Sequence, residues 1–108
     1  MRKSKPKTKA ALKTLINSWA QEIKVVPKQI RVQEMRNKWA SCSTSGWISF
    51  SSDLLYKSRK FQDYVIIHEL LHLKIPNHGK LFKSMMNAFC PNWERAEIIF
   101  NKNSPSNK

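Results

Sequence analysis

The sequence predicts an α+β domain, a short antiparallel or mixed sheet with three main helices. Three observations carry that expectation. Apolar residues recur at helical spacing in three segments, two short segments alternate as strands do, and Pro27, Pro76 and Pro91 punctuate the chain. The order helix, strands, helix, helix fits a small sheet with helices packed on it. Residues 9–100 are assigned to the fold, 1–8 to a disordered basic arm, and 101–108 to a polar tail.

The first helix is expected over 8–23. Leu12, Leu15, Ile16, Trp19 and Ile23 form its apolar stripe, and Thr8 is placed to cap it. Residues 29–36 and 46–51 read as strands, with Ile30 and Val32, then Ile48 and Phe50, on one face. The Ser/Thr/Gly-rich link 41–46 predicts a hairpin-like connection. A short strand or turn of helix is expected over 53–56. The second helix, 60–74, carries Phe61, Tyr64, Val65 and His68 on one broad face and ends at Pro76. A third spans 79–89, with Leu81, Phe82, Met85, Met86 and Phe89 as its stripe, and a last short helix is expected over 92–100.

Composition bounds the rest. Apolar residues make up 41% of 108, with four Trp, two Tyr and five Phe, which is enough for a core. No apolar run approaches the roughly 20 residues of a membrane span. Twenty Lys and Arg against seven Asp and Glu give +13. Five of those cations precede residue 10, so the remainder carries +8 and is itself basic. Such a charge draws polyanions, and nucleic acid is one partner it suits. No apolar stretch follows the basic start, so it does not read as a secretory signal. Cys42 and Cys90 are too few for a disulfide framework, and a reduced cytoplasmic setting is expected.

Residues 68–72 read His-Glu-Leu-Leu-His. One helical turn separates His68 from His72, so both imidazoles face the same way and can share one Zn²⁺. Glu69 lies about 100° round the axis and can reach a water beside the ion as general base. This composition yields such a match by chance in roughly one shuffled sequence in a few hundred. The third histidine, His78, follows a Pro76-Asn77 break that lets it swing back as a third ligand. Three histidines leave one tetrahedral position open, which suits catalysis. Glu94 and Glu97 are the rival third ligands. Tyr64, Tyr56 and Arg59 are candidate oxyanion donors, and Asp63 is a candidate to orient a histidine.

Several segments together resemble YgjP-like metallopeptidase domains. Arg36-Asn37-Lys38-Trp39-Ala40-Ser41-Cys42-Ser43, followed by Gly46-Trp47-Ile48, is similar to their R-x-x-W-G-S-C-S … G-x-I stretch, with Ala40 in place of the usual Gly. Tyr64 to Leu73 matches Y-V-x-x-H-E-L-x-H-L. Asn77 to Phe82 matches N-H-x-x-x-F, which SprT-like proteases share as H-G-x-x-F. Pro91-Asn92-Trp93 fits a later P-x-W. The likeness covers about residues 30–95, and the chain is shorter than typical members, close in size to the minigluzincins. The resemblance implies a small zincin with His68, His72 and His78 on zinc and Glu69 as base, acting on peptide or protein substrates. It implies that the strand near 46–51 borders the cleft and aligns an extended peptide. It also makes the segment after Pro91 a candidate plug of a latent enzyme, with core packing as the other reading of Trp93. A DNA-associated protease and a nucleotide metallohydrolase are the alternative functions.

Overall fold

The structure, a computed structural model, describes residues 6–102. Most of the basic arm and of the polar tail therefore lies outside the described residues. Helix α1 spans Lys9–Ile23. The Thr8 side chain accepts the Ala11 N–H at 3.1 Å, so the helix starts where its first free donor finds a cap. It ends at Lys24, whose left-handed backbone (φ 68°) turns its N–H onto the Ala20 and Gln21 carbonyls. Leu12, Ile16, Ala20 and Ile23 are its buried face.

Three strands follow, β1 (Gln29–Gln33), β2 (Ala40–Cys42) and β3 (Trp47–Ser51), in the order β1-β3-β2. The two strands expected from alternation are not partners in a hairpin. β1 runs parallel to β3, with Ile30 opposite Ile48 and Val32 opposite Phe50. The hairpin joins β2 to β3 in antiparallel register, Ala40 opposite Phe50 and Cys42 opposite Ile48. Three residues of Ala, Ser and Cys are too short and too weakly patterned to announce a strand of their own within the link. Its tight end is the turn 43–46, where Gly46 sits at φ 97° and donates to the Ser43 carbonyl. A side chain there would be strained, and its Cβ would press on the Lys28 side chain at 3.3 Å.

A 3₁₀ turn over Ser52–Tyr56 leads to α2 (Arg59–Leu71), capped by Ser58. The α-helix stops three residues short of the expected 74. His72, Leu73 and Lys74 bond back three residues instead of four, tightening the last turn ahead of Pro76. α2 is buried on nearly every side, including Phe61, Tyr64 to Ile67, Leu70 and Leu71. It is the central helix, packed by α1, the sheet edge and the two later helices. Those are α3 (Lys80–Phe89) and α4 (Trp93–Lys102), which make four main helices. α4 extends two residues into the segment assigned to the tail. Trp93 is buried and its Nε1 donates to Asn87 at 2.8 Å, so it anchors α4 by packing.

Candidate metal centre

Helix α2 carries His68 and Glu69 in its last full turn and His72 at its C-cap. The chain then reverses through Pro76 and Asn77, and His78 returns to the same point just ahead of α3. The three imidazoles form a cluster whose ligand nitrogens all lie within 4.8 Å of one another. Nε2 of His72 and Nε2 of His78 are 3.0 Å apart. Two nitrogens held by one tetrahedral Zn²⁺ at 2.0–2.1 Å sit roughly 3.3 Å apart, so the His72–His78 pair needs to open by only tenths of an ångström, while the widest separation in the set must close by roughly 1.5 Å. Glu94 and Glu97 are not part of the cluster, and among the described residues the three histidines are the set with metal-ligand spacing.

The cluster is held from several sides. His68 Nδ1 donates to Glu69 Oε2 at 3.1 Å, which leaves Nε2 as the His68 atom for a metal. Phe82 of α3 lies under all three rings, stacked on His72 at 5.1 Å between centroids and edge-on to His68 and His78. Phe100 of α4 covers His68 at 5.3 Å and meets Tyr64 edge-on. Burial, then the neighbouring His68 and His78 rings, hold the His72 pKa below its ordinary value, against a smaller opposite pull from Glu69. A neutral imidazole is the form that binds a metal, so this environment favours ligation.

Other expected residues fall elsewhere. Asp63 orients no histidine: its Oδ1 accepts from Trp19 Nε1 at 2.9 Å and pairs with Arg59 at 3.0 Å. Arg59 is thereby engaged away from the cluster. Tyr56 is exposed. Tyr64 is buried beside His68, and burial, with Glu97 and Glu69, raises its pKa and keeps it a neutral phenol. The two aromatic covers were not assigned to the site from sequence, although Phe82 closes the run that begins at Asn77.

A cleft of about 420 Å³ opens beside Glu69 and His72, bounded by Lys38, the run Ala40 to Thr44 and Pro76. Its wall is β2, not the strand 47–51, because β3 is the central strand with both edges occupied. The carbonyl of Trp39 accepts from Ser51 N and Ser43 N donates to the Trp47 carbonyl. Antiparallel pairing alternates, so the N–H and C=O groups of Ala40 and Cys42 point away from β3, along the open edge.

A search of characterised proteins gave no match. Two solved structures share the fold. The metallopeptidase zymogen jannalysin of Methanocaldococcus jannaschii superposes with a TM-score of 0.68 at 23% identity, over 82% of this chain and 94% of that one. The metallopeptidase zymogen abylysin of Pyrococcus abyssi gives 0.68 and 23%, over 84% and 90%. The sequence profile of the YgjP-like, metallopeptidase domain family matches residues 2–103. A chain matched over nearly its whole length by this profile belongs to the YgjP-like metallopeptidase domain family.

Proposed function

We propose that the protein is a zinc peptidase in which His68, His72 and His78 hold the ion and Glu69 is the general base. The observation that carries this reading is the convergence of the three imidazoles beside a carboxylate that faces an open strand edge. Zinc, when bound, supplies Lewis acidity, lowering the pKa of a water and polarising the scissile carbonyl. The remaining work belongs to the chain's own groups. Ala40 and Cys42 pair with the substrate backbone as an added strand, which fixes the peptide along the cleft. Glu69 keeps Oε2 on His68 and presents Oε1 to the attacking water. It accepts the proton there and delivers it to the departing amine nitrogen. Phe82 packs against all three histidine rings and limits their rotation.

The reading includes latency. α4 lies on α2, and Phe100 rests against His68 at 5.3 Å, so the last helix restricts access to the cluster from one side. The two structural neighbours are metallopeptidase zymogens, which supports latency here, and the Phe100 contact on His68 is what points to the segment after Pro91 as the plug. The test is hydrolysis of an unstructured protein such as casein by the zinc-loaded chain and by its Phe100→Ala variant, which removes the α4 contact on His68, with a nucleoside triphosphate in parallel. Peptide cleavage lost in Glu69→Gln supports the proposal. Nucleotide hydrolysis without peptide cleavage refutes it.

A further inference from the structure

The cleft holds one cation that the chemistry leaves unused. Lys38 is exposed and lines the cleft, two residues before β2. The run from Ala40 to Thr44 has only small, uncharged side chains, and Glu69, the one acid on the walls, is committed to proton transfer in the reading above. A peptide lying along β2 pairs through its backbone, which reads no sequence, so selectivity falls to whatever side chain the walls can sense. Small walls reject nothing by size. The feature they present is a positive charge, set in a chain of net charge +13 that steers anionic segments toward it.

We propose that Lys38 is a specificity-determining residue and that the cleft takes acidic peptide segments. The preferred substrate has Glu or Asp two to four residues from the scissile bond. That offset follows from the run Lys38 to Cys42, at roughly 3.3 Å per residue of extended chain, with Glu69 near enough to Cys42 to act on its thiol electrostatically. The proposal rests on the peptidase reading and names the substrate class for that site.

Two fluorescently labelled peptides, identical except for Glu or Lys at those offsets, test it by anisotropy. The target is the zinc-loaded Glu69→Gln chain at low salt, which binds without cutting. The Glu peptide is expected to bind about five- to tenfold more tightly, the range for one exposed pair set against one like-charge contact. Lys38→Glu in that background removes or inverts the ratio. Lys83→Glu makes the same charge change on the exposed side of α3, outside the cleft, and preserves it. Equal affinities, or the same loss of discrimination in both variants, overturn the proposal. Cleavage of a neutral peptide by the Phe100→Ala chain, in which α4 no longer rests on His68, reads the peptidase function separately. Cleavage without discrimination defeats the Lys38 proposal alone, and discrimination without cleavage defeats the peptidase reading alone.

Discussion

Glu69 is bonded to its sequence neighbour His68 and sits 9% exposed at the wall of the cleft, a position that a generic helix-surface glutamate does not occupy. Replacing it by Gln keeps the shape and removes the base. The expected outcome is one zinc per chain with hydrolysis reduced about 10²- to 10⁴-fold, read by metal analysis beside a peptide assay. Phe82 is 4% exposed and touches all three rings. Phe82→Ala is expected to cost about 3 kcal/mol in denaturant unfolding and to weaken zinc binding, because the rings lose the surface that fixes them. Cys90 is a separate matter. Burial first, then the Asp63 carboxylate, pushes its thiol up to about 11. The neutral thiol is the folded form, so its contribution is intact below pH 9 and lost as pH rises from 9 to 11. Cys90→Ala should flatten the stability profile in that window, and an unchanged slope would contradict the assignment. At this scale much was legible. His68 and His72 carry a spacing rule that only a helix satisfies, and a chain with three histidines leaves His78 few other uses. Asp63 was misread because nothing in sequence shows Trp19 arriving from another helix to take its oxygen.

Among the elements, the helices were readable and the sheet connectivity was not. α1 has a stripe, a cap and a nearby proline, all local signals, and its ends agree with expectation to one residue. The parallel pairing of β1 with β3 is non-local, and no residue in either strand encodes which neighbour it takes. The strand near 46–51, which the resemblance implies at the cleft, is the central strand, and β2 lines the cleft instead. Lys24 ends α1 in a left-handed conformation that costs an L-residue about 1 kcal/mol. Lys24→Gly is therefore expected to raise stability by about 0.5 kcal/mol, measured by urea unfolding, since the capping bonds come from the backbone and survive the change. For α4, Phe100→Ala keeps the Trp93 anchor and removes the contact on His68. Activity on peptides should rise while the melting temperature falls slightly. Unchanged activity with an intact fold would show that α4 is structural only.

The whole molecule combines a net charge of +13 with one buried helix that ends in the histidine cluster. Among the described residues, no helix is long and apolar enough to cross a membrane. Because the cluster links α2 to the start of α3, an ion there ties the two together, and its binding energy adds to folding energy. Free zinc at 100 times its dissociation constant would stabilise the chain by about 2.7 kcal/mol, which a thermal scan resolves easily. That gain should vanish with His72→Ala. The account depends most on three histidines sharing one ion, and X-ray absorption at the zinc edge on the full-length chain reads this directly. One zinc per chain, with three imidazole nitrogens at about 2.0–2.1 Å, is the predicted result. A zinc-free protein after saturation and desalting, or full zinc content and an unchanged spectrum in His72→Ala, would contradict it.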